Sequence, residues 1–215
     1  MSGLPKCTAT FNRLLYKVRH YIIIFLLSAV IQTSANTVQY DTMPDTRKLG
    51  IALDYFTGGK YHEALIMFLK LDKRYKLNPR FKAYIGLCYY YEWDYEQACK
   101  YLDNALPSLT IYAPAERSIY YNAAAESHFE LKEYRLAIPV YEMGLLTCRQ
   151  SEKANIFYKL GFCYMLIGKT DIAADNFKSA LAYYKTYPDA NSKARITQLK
   201  NMIQGLETNN TTIGS

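Results

Sequence analysis

Between residues 46 and 184 apolar side chains recur at intervals of three and four, the spacing of helices that each bury one face. Ile156, Leu160, Cys163 and Ile167 make one such face, and Ala174, Phe177, Leu181 and Tyr184 make the next. Polar or glycine-bearing breaks separate the runs at Gly58-Gly59, Glu92-Trp93-Asp94, Leu131-Lys132-Glu133 and Gly168-Lys169. The pattern predicts helices near 46–57, 61–74, 80–92, 95–106, 116–130, 134–147, 151–167 and 170–184. Pro139 falls early in the sixth and predicts either a bend or a later start. After Pro188 a ninth run sets Ile196, Leu199, Met202, Ile203 and Leu206 along one side, an amphipathic helix.

The runs are copies of one unit. A small residue is followed three later by Tyr or His and twelve later by Ala in Ala52/Tyr55/Ala64, Gly86/Tyr89/Ala98, Ala125/His128/Ala137 and Gly161/Tyr164/Ala173. The closing alanines stand 34, 39 and 36 residues apart, so the length within a unit is held while the joints vary. A period of this size signals stacked supersecondary units. Small residues suit a close crossing of two helices with aromatics filling the space on either side, and a large side chain there overpacks the contact by about 1–3 kcal/mol.

Phe157-x2-Leu160-Gly161-x2-Tyr164 followed by Ala173-x3-Phe177-x2-Ala180 resembles the tetratricopeptide repeat pattern W-x2-L-G-x2-Y…A-x3-F. The other copies keep residue size but depart in detail: Lys48 and Lys82 stand where the pattern has an aromatic, and His128 replaces the tyrosine. The resemblance implies an all-α, right-handed α-solenoid of about four helix pairs. The repeats fall near 45–78, 79–115, 116–150 and 151–187, with a capping helix at 190–206 closing the open apolar face. The solenoid then spans 46–206, after a linker at 36–45 and before a tail, 207–215, expected to be disordered.

Residues 1–35 carry Lys6, Arg13, Lys17 and Arg19 with no acid, then the apolar run Tyr21 to Ile31 and Thr33-Ser34-Ala35. This reads as a secretory signal peptide cleaved after Ala35. As a membrane anchor the apolar run is too short, since a span takes about 20 residues. Cys7 precedes the apolar run, so no lipid anchor is expected. Four of the seven net positive charges lie in this leader, which leaves the exported chain at +3 and gives no case for nucleic acid.

Four cysteines remain, Cys88, Cys99, Cys148 and Cys163, each within a predicted helix near its packed side. They read as small buried apolar residues, with a Cys88–Cys99 bridge as the alternative. His62 lies at a helix start, and the linear spacing shows no metal-ligand pattern, nucleophile motif or phosphate loop. The expectation is a protein that is not an enzyme and takes no cofactor.

By the same resemblance, the first helices of successive repeats line a concave side. This assigns Leu53 and Phe56, then Leu87, Tyr90 and Tyr91, then Asn122, Glu126 and Phe129, and finally Tyr158, Phe162 and Met165 to a partner-binding groove. Leu49, Leu53 and Tyr84 stand where a carboxylate-gripping subclass has Lys, Asn and Arg, so that clamp is absent from the first two repeats. An apolar and aromatic groove is expected to bury side chains of an extended segment or helix, with Asn122 and Glu126 as polar anchors. The function so implied is a protein–protein interaction scaffold or adaptor in the bacterial envelope, in or facing the periplasm. Two alternatives stand beside it: a periplasmic sensing component that needs a separate membrane partner, and a part of an outer-membrane assembly or secretion complex.

Overall fold

The computed structural model describes residues 43–213, so the leader and most of the linker lie outside the described residues. Nine α-helices occupy the described residues, with no strand among them. They are α1 Asp45–Thr57, α2 Tyr61–Tyr75, α3 Pro79–Tyr91, α4 Tyr95–Ala105, α5 Pro114–Glu130, α6 Tyr134–Thr147, α7 Lys153–Leu166, α8 Thr170–Thr186 and α9 Ser192–Ile213. The chain divides into two compact units, Met1–Gly50 and Ile51–Ser215. Of the first, only residues 43–50 are described; they include the opening of α1, where Lys48 pairs with Asp45 at 3.2 Å. The rest of this section concerns the second. None of the described helices is long and apolar enough to cross a membrane.

Within the second unit the helices pair as the repeat signature predicts. Phe56 of α1 meets Phe68 of α2 edge to face at 6.4 Å, and α3 packs on α4, α5 on α6, and α7 on α8. The four alanines that close the signature, Ala64, Ala98, Ala137 and Ala173, are fully buried. At two crossings the partner must be glycine. A Cβ on Gly86 would lie 2.6 Å from Leu102 Cγ, and one on Gly161 would lie 2.4 Å from two ring carbons of Phe177.

One turn geometry joins the two helices in all four pairs. Gly59, Trp93, Lys132 and Gly168 hold φ of 74°, 63°, 62° and 78°, the left-handed conformation that ends a helix. The next amide returns to the carbonyl of the signature aromatic: Lys60 to Tyr55, Asp94 to Tyr89, Glu133 to His128 and Lys169 to Tyr164, at 2.8–3.0 Å. With the two amides before it, that bond satisfies three of the last four carbonyls of the first helix before the second begins. The Tyr-to-Ala spacing is invariant because this turn tolerates no insertion.

The variable joints carry the extra residues. A 3₁₀ turn, Leu106–Leu109, fills the longest one and buries Leu106 and Leu109; another, Gln150–Glu152, occupies the joint before α7. Pro139 sits inside α6, which nevertheless starts at Tyr134, so of the two expected outcomes the later start does not occur. Helix α9 closes the stack by setting Leu199 and Ile203 among Tyr158, Phe177 and Tyr184. It runs on to Ile213, whereas the sequence places a disordered tail from 207. The Thr208 hydroxyl donates to the carbonyls of Gln204 and Gly205 at 3.1 Å, and Glu207 pairs with Lys178 of α8 at 2.8 Å, which extends the ordered helix past its last core residue.

Candidate functional site

Helices α3, α5 and the start of α7 leave an open cavity of about 300 Å³. Leu87, Tyr90 and Tyr91 of α3 form one wall, Ser118, Ile119 and Asn122 of α5 the floor, and Glu152, Asn155 and Ile156 the far side. A second cavity of about 480 Å³ adjoins it toward the first repeat, lined by Phe56, Tyr61, Arg80, Tyr84, Glu116 and Tyr120. The two share Leu87, Tyr91 and Ile119, so they are one groove with a waist. At the waist Leu87 is 3 % exposed, while Tyr91 is 44 % and Ile119 52 % exposed. Two large apolar side chains therefore stand open to solvent beside a buried one.

Five of the eleven residues assigned from sequence line this groove: Phe56, Leu87, Tyr90, Tyr91 and Asn122. Tyr91 stacks on Tyr61 at 4.0 Å, which holds its ring upright at the rim. The other six line neither cavity. Leu53 is partly buried. Glu126 accepts from the buried Tyr141 hydroxyl at 2.7 Å and from Lys159 Nζ at 2.6 Å, and Phe129 lies under the same ammonium at 4.2 Å. Both side chains are engaged by other helices of the stack. Tyr158 is covered by the chain's own α9, where Arg195 sits 4.3 Å over its ring and Gln198 accepts from its hydroxyl at 3.1 Å; Phe162 meets Phe177 of α8 at 5.3 Å, and Phe162 and Met165 are partly buried against the cluster that α8 and α9 share.

Ile119, Tyr84 and Asn155 belong to the groove although the sequence assignment leaves them out. Ile119 and Asn155 lie three residues before Asn122 and Tyr158, one helical turn earlier on the same face, so extending the face by a turn finds them. Arg80 is the cation within the groove, but it is tied to Glu116 by two bonds of 2.7 and 3.1 Å and lies 5.9 Å over Tyr84 and 5.0 Å over Tyr112. Glu116 also accepts from Tyr120 at 2.9 Å. Burial, aided by that bond, pushes the Tyr120 phenol well above its ordinary value, and burial pushes Tyr90 up to about 12. The groove combines apolar surface with neutral hydroxyls and amides; its one cation is already paired with Glu116, and Glu152 sets a carboxylate on the far side.

All four described cysteines are free, so the Cys88–Cys99 bridge is not formed. Burial pushes the thiols of Cys88 and Cys163 up to about 12, which keeps them protonated and unreactive. His62 is exposed and 3.1 Å from Glu92. His128 is buried, with Asp103 at 3.1 Å from Nε2 and Glu133 at 2.7 Å from Nδ1. The bond to Asp103, helped by Cys99 and Glu133 and opposed by burial, pushes its pKa up to about 11.

Residues 156–189 match the tetratricopeptide repeat family model. No curated protein matches the sequence. Among solved structures, MamA from Desulfovibrio magneticus RS-1 is similar with a TM-score of 0.53 and 17 % identity, over 80 % of this chain and 97 % of that one. MamA AMB-1 gives 0.60 at 15 % identity, over 76 % and 85 %. The APC/C hetero-tetramer Cut9–Hcn1 gives 0.56 at 16 % identity, over 72 % of this chain and 29 % of that chain. At these identities the likeness is one of fold. The family model matches the fourth repeat, and the same paired-helix turn recurs in the other three, so the chain carries a tetratricopeptide repeat within an all-α solenoid of that fold.

Proposed function

We propose that this chain is a non-enzymatic interaction scaffold, exported to the bacterial envelope, that captures a partner protein in the groove between α1, α3 and α5. One observation carries the reading: Tyr91 and Ile119 stand exposed on either side of a waist shared by two adjoining cavities. Apolar side chains of this size in a concave site release water when a matching side chain enters, which favours an occupant with one or two apolar anchors. The hydroxyls of Tyr90 and Tyr91 and the amides of Asn122 and Asn155 are placed to meet that occupant's backbone. The leader supports export, and the partner is accordingly an envelope protein.

The test is capture from envelope extract by the mature chain, residues 36–215, beside an Ile119→Glu variant. Ile119 is half-exposed, so the substitution leaves the stack intact, which an unchanged melting temperature verifies. One stoichiometric protein held by the parent and lost by the variant supports the groove. Equal capture by both sinks it.

A further inference from the structure

We propose that Cys99, His128 and Glu133 form a binding site for one zinc-class divalent cation at the joint between the second and third repeats. The sulfur, one ring nitrogen and one carboxylate oxygen all lie within 4.8 Å of one another. They come from three elements that only the fold brings together: Cys99 from the first turns of α4, His128 from the last turn of α5, and Glu133 from the turn before α6.

Packing alone does not call for this combination. The other three repeats place Tyr55, Tyr89 and Tyr164 at the position of His128, and Leu65, Ile138 and Ala174 at that of Cys99. In the fourth repeat Tyr164 donates its hydroxyl to Glu142 at 3.0 Å, and His128 makes the corresponding bond from Nε2 to Asp103. That bond is thus shared with the joint between the third and fourth repeats. What the third repeat adds lies on the Nδ1 side of the ring, where Glu133 stands at 2.7 Å.

The Asp103 bond also does for the ring what a supporting carboxylate does in metal sites, fixing its orientation and leaving the other nitrogen to the cation. Zinc bonds of about 2.0–2.3 Å put tetrahedral donors roughly 3.3–3.8 Å apart, so shifts of about 1 Å close the site. Thiolate and imidazole with a single carboxylate select a borderline-soft cation over calcium or magnesium. On binding, the cation replaces the Nδ1 proton and the Cys99 thiol proton, and its two charges are balanced by the thiolate and Glu133. Cys99 and His128 are buried while Glu133 is half-exposed, which gives an entry path on one side. The cation would pin the longest joint in the stack.

Cobalt(II) titrated into the full chain tests this, because a thiolate bound to Co²⁺ gives a charge-transfer band and a tetrahedral site gives intense visible bands. One equivalent should saturate both, and Zn²⁺ should displace it. The charge-transfer band should vanish in Cys99→Ser and persist in Cys148→Ser. Glu133→Gln, whose exposed side chain leaves folding unaffected, should weaken binding at least tenfold and abolish the rise in melting temperature that Zn²⁺ gives the parent. A folded parent with no thiolate band overturns the proposal, as does a band indifferent to Cys99→Ser and Glu133→Gln. In that case His128 is an imidazolium held between Asp103 and Glu133.

Discussion

Adding one methyl group at Gly161 tests how the repeat signature works. The new Cβ would lie 2.4 Å from Cδ1 and Cε1 of Phe177 and 2.9 Å from Cζ, against an ordinary carbon contact of about 3.5–4.0 Å. Phe177 cannot swing away, since it is fully buried with Phe162 at 5.3 Å and Tyr158 at 6.3 Å. Overpacking of this kind costs about 1–3 kcal/mol, while Ala in place of a helical Gly returns up to about 1 kcal/mol. Gly161→Ala should therefore lose about 1–2 kcal/mol, or roughly 2–8 °C for a chain of this size. Gly205→Ala is the control: on α9, with nothing within 4 Å of the added carbon, it should gain about 1 kcal/mol. Thermal unfolding followed by helical circular dichroism reads both. If Gly161→Ala raises the melting temperature as Gly205→Ala does, the crossing is not the reason for the small residue.

Other predictions follow from the turns and the buried tyrosines. Trp93 and Lys132 hold left-handed φ with exposed side chains, so Trp93→Gly and Lys132→Gly should each raise the melting temperature, by a gain of about 1 kcal/mol; a loss from either would mean that the side chain, not the turn, stabilises that joint. Glu126→Ala leaves the buried Tyr141 hydroxyl without its acceptor and should cost about 1–3 kcal/mol, whereas Tyr141→Phe should cost about 1. The double variant should be little worse than Glu126→Ala, and additive losses would contradict the pairing. Alkaline unfolding should follow the tyrosines whose pKa values are raised in the fold, to about 12 for Tyr90 and above the ordinary value for Tyr120 and Tyr141. A raised value means that stability is whole below pH about 10 and declines as pH rises above it, by up to about 1.4 kcal/mol per unit for each such tyrosine. Tyr120→Phe should make that decline shallower in urea titrations across the range, and an unchanged slope would count against it.

The sequence carried the fold because packing repeats. The signature alanines, the crossing glycines and the turns after Tyr55, Tyr89, His128 and Tyr164 recur at one spacing, and each observed helix begins and ends within about two residues of its expected bounds except at the last end of α9. The site was legible in part. Phe56, Leu87, Tyr90, Tyr91 and Asn122 line the groove because their face of each first helix turns away from its partner helix. Tyr158 shares that face but is covered by α9, and the path of a capping helix across the stack is a tertiary fact with no period to reveal it. The groups that engage Glu126 within the stack, Tyr141 and Lys159, stand 15 and 33 residues away, out of reach of any local pattern. The cluster of Cys99, His128 and Glu133 was hidden for the same reason, as its linear spacing resembles no ligand motif.

Photocrosslinking from single positions tests the groove most directly. With a photoreactive side chain at Ile119, cells producing the full chain should yield one discrete adduct to an envelope protein on illumination. The same group at Leu146, 77 % exposed on α6 and lining neither cavity, should yield none. An adduct from Leu146 with none from Ile119 would contradict the account, moving the binding surface to the apolar stripe of Leu136, Met143 and Leu146 on α6.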